Sequence, residues 1–425
     1  MRTNTIDIIT LGCSKNLVDS ERLMRQLELS GYKVTHDSDD PRGEIAVVNT
    51  CGFIGDAKEE SINTIIENGE YKETGRLKKL IVAGCLAERY REEIRKELPE
   101  VDEVIGVKEY VERLDVQMKR VENAENYTAY LKIAEGCDKC CTYCIIPKLR
   151  GHYRSVPMEH LLEEAKRLAA EGTKELILVA QETTLYGVDL YGKKSLPELL
   201  NRLSEIEGLE WIRILYCYPE EITEELIRTI RDNTKVVHYL DIPIQHASDK
   251  ILKNMHRRTR EAELRERIAT LRREIPDIAL RTTLITGFPG ETEEDFDILK
   301  NFVKEMRFDR LGVFPYSQEE DTPAAEMDGQ VPEKIKLQRQ DEILRLQQGI
   351  AFEKAREQVG RELRVIIIGY DPEHNEYLCR SYMDNPDIDS LVYVDAGEYH
   401  NELSGDMISC RIIDADGYDL IGERI

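Results

Sequence analysis

The sequence predicts an α/β protein in three parts: an N-terminal doubly wound open α/β domain, a central partial TIM-like barrel of six βα units, and a small antiparallel β-barrel at the C-terminal end. Three observations carry this reading. Short apolar runs alternate with helix-like stretches through most of the chain, which is the pattern of parallel sheets covered by helices. From Tyr130 to about Gln318 the alternation recurs in six units spaced by roughly 30 to 40 residues, short of the usual eight. From Arg361 onward short strands are broken by Gly, Asp, Asn and Pro, as in a small barrel. The boundaries read as 1–122, 123–356 and 357–425, and 425 residues suffice for about two to four independent cores.

In the first part "IDIITLGC", "IAVVNTC" and "KLIVAGC" read as buried parallel strands. Each precedes a helical stretch: "NLVDSERLMRQLELSGY", "KEESINTIIENGEY" and "LAERYREEIRKELP". The first helix is expected to start near Asn16 as N-cap, with Leu23 and Leu27 on its packed face. "QMKRVENAENY" is poor in apolar residues and reads as a linker. In the second part the strands are "YLKIAEG", "ELILVAQ", "WIRILYCYP", "HYLDIPIQ", "ALRTTLITGFPG" and "RLGVFPYS". "PEKIKLQRQDEILRLQQGIAFEKAREQVG" reads as a long polar helix leading away from them. The third part holds "ELRVIIIGYD", "EYLCRSYM", "SLVYVDA", "DMISCRIIDAD" and "YDLIGERI".

The formal charge of −24 argues against a general nucleic-acid binder, because phosphate contacts require Lys and Arg. No run of eighteen apolar residues occurs, and "MRTNTIDIITLGC" has neither an apolar signal core nor a cleavage site. A soluble cytoplasmic protein with no membrane partner is expected. No Walker loop, GxGxxG or His pair at ligand spacing is present, so nucleotide hydrolysis and nicotinamide chemistry are unsupported. Ten cysteines in such a chain point to metal or catalysis rather than to disulfides.

Four of them lie in "AEGCDKCCTYCIIP". Read as Cys137-x2-Cys140 and Cys141-x2-Cys144, the stretch is a four-thiolate zinc knot. Read as Cys137-x3-Cys141-x2-Cys144, it is a three-thiolate site that leaves out Cys140. Zinc knots separate their cysteine pairs, and adjacent cysteines point apart, so the spacing favours three thiolates holding a 4Fe-4S cluster with one iron open. Cys13, Cys51 and Cys85 each close an apolar strand. In an open parallel sheet the carboxyl ends of strands lie side by side and bind ligands. The bland alternative is that small buried cysteines end strands, but three strands out of three favour a second three-Cys cluster.

Cys137, Cys141 and Cys144, with Tyr143 before the last, resemble the signature of the radical S-adenosylmethionine superfamily. Two such sites, an α/β front domain and a terminal barrel together resemble the methylthiotransferase family over essentially the whole chain. "LGCSKNLVDSE", "NTCGFI", "GCLAERY" and "CIIPKLRGHYRSVP" are similar to the branch that modifies an aspartate of ribosomal protein uS12. Cys140 stands where that family carries a basic or polar residue. The resemblance implies two 4Fe-4S clusters and S-adenosylmethionine in two roles, as methyl donor to a sulfur on the auxiliary cluster and as source of a radical. That radical takes a hydrogen from the aspartate β-carbon, which then receives the methylthio group. A low-potential donor such as flavodoxin or ferredoxin is implied as the electron source.

The active face of a parallel barrel is at its strands' carboxyl ends, where Gln181, Gln245, His246, Thr286, Gly287 and Tyr316 fall. Gln181, Gln245 and Thr286 are candidates for S-adenosylmethionine or substrate contact, against a reading as polar strand ends. Gly287-Phe288-Pro289-Gly290 resembles the superfamily's adenine contact, and Tyr143 is expected near the adenine. Cys217, Cys379 and Cys410 lie in apolar strand patterns and read as core. From Glu357 to Ile425 there are sixteen Asp and Glu, five Arg and no Lys, a formal charge of 5 − 16 = −11. An acidic barrel repels tRNA and complements a basic protein such as uS12. The competing readings are a tRNA adenosine methylthiotransferase and a non-enzymatic iron–sulfur scaffold. The barrel is expected to be a separable recognition module, with Asp384, Asp387 and Asp389 on its acidic face.

Overall fold

The computed structural model describes residues 5–38, 43–114, 127–386, 388–397 and 402–425. The stretch read as a linker lies outside the described residues except for Tyr127.

The N-terminal sheet contains the three expected strands and two more. They are β1 (Thr5–Thr10), β2 (Lys33–His36), β3 (Ile45–Thr50), β4 (Lys79–Gly84) and β5 (Glu103–Gly106), all parallel, in the order β2-β1-β3-β4-β5. β3 is buried along nearly its whole length, as expected of a strand covered on both faces. The first helix spans Ser14–Leu29 and begins earlier than expected, with Cys13 as N-cap in an extended conformation. Asn16 does not cap. Its Nδ2 donates to the carbonyls of Leu11 at 2.8 Å and Thr50 at 3.2 Å, so it ties the ends of β1 and β3 together.

The central sheet has the six expected strands: β6 (Thr128–Lys132), β7 (Glu175–Val179), β8 (Trp211–Ile214), β9 (Val236–Asp241), β10 (Ala279–Thr286) and β11 (Arg310–Pro315). They pair in parallel and in chain order, from β6 at one edge to β11 at the other. The two-residue alternation of a strand separates its two faces. Leu176, Leu178, Ile212 and Ile214 pack with the helices. Ile177, Val179, Trp211 and Tyr239 face the other way, into one core with Val365, Ile367, Val392 and Val394 of the C-terminal barrel.

That barrel consists of β12 (Glu362–Asp371), β13 (Glu376–Ser381), β14 (Val392–Asp395), β15 (Met407–Asp416) and β16 (Asp419–Arg424). It closes in the order β12-β13-β14-β16-β15, antiparallel throughout except for the parallel pair β14–β16. It is not an appended module. Beyond the shared apolar core, Glu175 of β7 accepts from Arg213 at 2.7 Å and from Arg380 of the barrel at 2.5 Å, with all three side chains buried. Arg310 of β11 pairs with Asp384 at 2.5 Å, and the Tyr239 hydroxyl donates to Asp389 at 3.0 Å. Asp384 and Asp389 therefore anchor the barrel from inside rather than forming an outward acidic face, and Asp387 lies outside the described residues.

The long helix, Glu333–Arg356, does not lead away. It lies along β11 and against the helix Glu293–Met306. Its inward face includes Arg339 and Gln347 as well as Ile343 and Ile350. Arg339 is paired with Glu291 at 2.7 Å, and Gln347 donates to the Phe308 carbonyl at 2.9 Å. Satisfied polar groups can be buried, which is why composition concealed this face. Among the described residues no helix is long and apolar enough to cross a membrane.

Candidate active site

The loop holding Cys137, Cys141 and Cys144 follows β6 and is fixed by main-chain bonds on three sides. The Cys137 N–H donates to the Gly151 carbonyl, Thr142 N–H to Met255, and Cys144 N–H to Cys141, at 3.0 to 3.1 Å. Cys137 and Cys141 are buried and Cys144 half-buried, whereas Cys140 is exposed. Cys140 takes a φ of 52°, and its carbonyl lies 3.0 Å from His256 Nδ1. Of the four thiols in this stretch, Cys140 alone is exposed. Burial pushes the Cys137 thiol up to about 12 and raises Cys144 as well. Around the loop stand Tyr218, its hydroxyl 3.6 Å from Cys141 Sγ, and Arg257, whose guanidinium stacks 4.2 Å from the Tyr218 ring centroid.

Cys13, Cys51 and Cys85 converge at the carboxyl ends of β1, β3 and β4. Glycines make this approach possible. A Cβ on Gly12 would lie 2.6 Å from Cys51 Cβ, and one on Gly52 would lie 2.9 Å from the Cys85 carbonyl oxygen. Gly12 also has a φ of 93°, a region open to glycine at little cost. Burial pushes Cys51 up to about 12 and raises Cys85. Burial acts the same way on Cys13, but Lys15, Arg150 and the N–H groups of Asn16 and Lys15 outweigh it and hold that thiol below its ordinary value. Among the described residues no three Cys, His, Asp or Glu side chains converge closely enough to hold a single metal ion.

A buried polar network joins the two sets. Arg150, six residues beyond Cys144, reaches into the N-terminal domain and bonds Asn16 Oδ1. It also donates to Glu135 at 2.9 Å and approaches Asp19 at 3.5 Å. Lys132 pairs with Asp19 and, at 2.8 Å, with Glu135. Burial would raise Glu135, but Arg150 and Lys132 hold it well below the usual carboxylate range. Its counterpart Glu182, just past β7, is pushed up to about 7 by burial, which outweighs its hydrogen bonds from Thr184 and the charge of Lys139.

Gln181 donates to Glu135 at 3.4 Å. Gln245 sits at the end of β9 with a φ of 72°, its main chain bridged to β10. Tyr143 and Phe288 share one apolar cluster with Tyr316, which brings the cysteine loop and the Gly287–Gly290 turn together. Thr286 is turned away from the strand-end space: it is fully buried, and its hydroxyl donates to the Lys336 carbonyl at 3.2 Å. Gly287 has a φ of 70°, and a Cβ there would strike Lys336 Cγ at 2.3 Å, so its glycine identity follows from helix packing. His246 is fully buried and accepts from Ser248 N–H, a structural role. Cys217, Cys379 and Cys410 are core residues. Sequence reading assigned no role to Lys15, Glu135, Arg150, Tyr218 or Arg257. Only the glycines beside Cys13, Cys51 and Cys85 offered a further signal, since close backbone approach requires them.

The donor chemistry fits iron–sulfur clusters and a polar cofactor. Each set presents three thiols, the number that a cluster with one open iron takes from the protein. Gln181 Oε1, Glu182 Oε2, Glu220 Oε2 and Arg257 Nε are buried without a hydrogen-bond partner, and buried polar atoms ordinarily have one.

Three family models match: the radical SAM superfamily over residues 131–303, the uncharacterized protein family UPF0004 over 5–106, and the TRAM domain over 359–425. The chain is 56% identical to the ribosomal protein uS12 methylthiotransferase RimO of Lachnoclostridium phytofermentans, covering 98% of this chain and 99% of that protein. It is 50% identical to the protein of the same name from Phocaeicola vulgatus, over 99% of each. The counterpart from Geobacter sulfurreducens is 48% identical, over 99% of this chain and 98% of that one. Among solved structures, the radical S-adenosylmethionine methyltransferase TsrM of Kitasatospora setae superposes with a TM-score of 0.54 at 16% identity, over 76% of this chain and 77% of that chain. At that identity the likeness is one of fold.

Proposed function

Since the chain belongs to the methylthiotransferase family of radical S-adenosylmethionine enzymes, in its ribosomal protein uS12 branch, we propose that it methylthiolates the β-carbon of an aspartate of uS12. As a member it is a radical S-adenosylmethionine methylthiotransferase that works with 4Fe-4S clusters and S-adenosylmethionine. The observation that carries the finer reading is the pair of three-thiol sets linked through Arg150.

In this reading Cys137, Cys141 and Cys144 hold one cluster, and Cys13, Cys51 and Cys85 hold the second. When bound, the clusters and S-adenosylmethionine supply one-electron cleavage of the sulfonium, hydrogen abstraction and the methylthio group. The chain's own part is placement and electrostatics. Main-chain bonds at Cys137, Thr142 and Cys144 hold the loop rigid. Tyr218 and Arg257 cover Cys141, and buried surroundings there exclude water. Tyr143 and the turn at Gly287 form the adenine side, while Gln181 and Gln245 contact S-adenosylmethionine or substrate. Arg150 sets the distance between the two sets and lends positive charge to the N-terminal one. The electron comes from a low-potential protein such as flavodoxin or ferredoxin. Exposed acids of the terminal barrel, Asp395, Asp406, Asp414 and Asp416, face the basic substrate and disfavour tRNA.

Mass spectrometry of uS12 from cells with and without this protein tests the reading. The added mass of one methylthio group should appear only in its presence. Modification of a tRNA adenosine with uS12 untouched would overturn the substrate while leaving the family intact.

A further inference from the structure

Lys15 is the second residue of the helix Ser14–Leu29 and lies two residues from Cys13. Its placement is unfavourable three times over. It is only 7% exposed, and no carboxylate among the described residues pairs with its ammonium. Burying an unpaired charge is costly. It also stands in a first turn without an acidic residue, where the helix dipole already concentrates positive charge.

Its ammonium lies 3.7 Å from the centroid of the Tyr216 ring. A ring face partly offsets the desolvation of a cation, and the Cys13 sulfur and the Tyr216 hydroxyl add to that offset, but no carboxylate among the described residues pairs with the ammonium. Tyr216 itself is held in a conformation rare for a bulky residue, with a φ of 60°. Asp241 Oδ2 accepts from its N–H at 3.1 Å, and its carbonyl accepts from Thr183 N–H at 3.2 Å. Two residues on, Tyr218 touches Cys141. The segment leaving β8 thus reaches both cysteine sets: Tyr216 meets Lys15 beside Cys13, and Tyr218 meets the loop.

We propose that Lys15, supported by Tyr216, binds the side-chain carboxylate of the substrate aspartate and so holds its β-carbon between the two cysteine sets. The inference rests on the reading of uS12 aspartate as substrate and names the group that recognises it. The carboxylate carbon is one bond, about 1.5 Å, from the reacting carbon, so fixing one fixes the other. An adenine ring has no carboxylate for this ammonium to pair with, and Lys15 therefore separates the two substrate classes.

The test uses the full-length protein, reconstituted anaerobically with S-adenosylmethionine and without reductant, so that binding is read without turnover. Calorimetry compares a synthetic peptide of the uS12 segment carrying the target aspartate with the same peptide bearing asparagine. The wild-type protein should bind the aspartate peptide about tenfold to a hundredfold tighter, the range for a hydrogen bond to a charged group. Lys15→Met should bind both peptides equally weakly with unchanged iron content, and Lys15→Arg should regain part of the preference. Equal binding of the two peptides by the wild-type protein overturns the proposal, as does a preference retained in Lys15→Met. If Lys15→Met loses iron, the wild-type comparison and Lys15→Arg still decide. Absence of binding by either peptide and by intact uS12 would instead remove the substrate reading beneath it.

Discussion

Cys137, Cys141 and Cys144 come from one short loop after β6, whereas Cys13, Cys51 and Cys85 come from three strand ends that meet only when the N-terminal sheet is assembled. The loop set is walled by Tyr143, Tyr218 and the stacked Arg257. The strand-end set is approached by two cations, Lys15 and Arg150, which lower Cys13 against the effect of burial. The nearby carboxylates follow the same division, with Glu135 held down by Arg150 and Lys132 and Glu182 raised by burial. The loop set has aromatic walls with the Arg257 cation stacked among them, whereas at the strand-end set the cations bear directly on Cys13.

The largest effect should come from separating the two sets by mutation. Replacing Cys137, Cys141 and Cys144 together by Ala should abolish cleavage of S-adenosylmethionine, measured as 5′-deoxyadenosine by chromatography. Replacing Cys13, Cys51 and Cys85 by Ala should leave that cleavage and stop methylthio transfer to uS12. Loss of both activities in the second variant would merge sites that the comparison keeps apart.

The bridge between them can be broken at Arg150. Arg150→Gln leaves Glu135 and Asp19 short of one buried partner, and such losses cost about 3 to 5 kcal/mol. A clear fall in thermal midpoint is expected.

Glu182 sharpens the electrostatic contrast through pH. Its folded-state value of about 7 is above the ordinary 4.5, so the unfolded chain releases this proton first as pH rises. Stability is lost between about pH 4.5 and 7, and the full loss, about 3 kcal/mol, persists above pH 7. Glu182→Gln should therefore raise the thermal midpoint at pH 8 and change it little at pH 4. A fall in the midpoint at pH 8 instead would mean that the carboxylate is ionised and paired.

Much of this was legible in the sequence for a physical reason. Buried strands such as "ELILVAQ" are continuous apolar runs, and cysteines at loop spacing or at strand ends announce themselves. β2 and β5 were missed because they are short edge strands, and the half-exposed "KVTH" of β2 has no buried run. The first helix starts earlier than expected because Asn16 serves the sheet instead of the helix end. Polar residues whose roles arise from distant partners were illegible: Arg150 and Asn16 are far apart in sequence, as are Asp384 and Arg310. The acidic count of the terminal barrel was correct as composition, but it placed Asp384 and Asp389 on the wrong side.

The smallest effect should come from Cys140. It is exposed, unlike the other three thiols of the stretch, so Cys140→Ser should keep turnover within a small factor. Loss of a whole cluster in that variant would show that the loop uses a different set of thiols.

The central claim, two separate three-thiolate sites, is tested most directly by counting iron, with Mössbauer spectra, in the anaerobically reconstituted protein and in both triple variants. The account predicts about eight irons per chain in the wild-type protein and about four in each variant, all in 4Fe-4S clusters. Stoichiometric zinc at Cys137 to Cys144, or only about four irons in the wild-type protein, would contradict it.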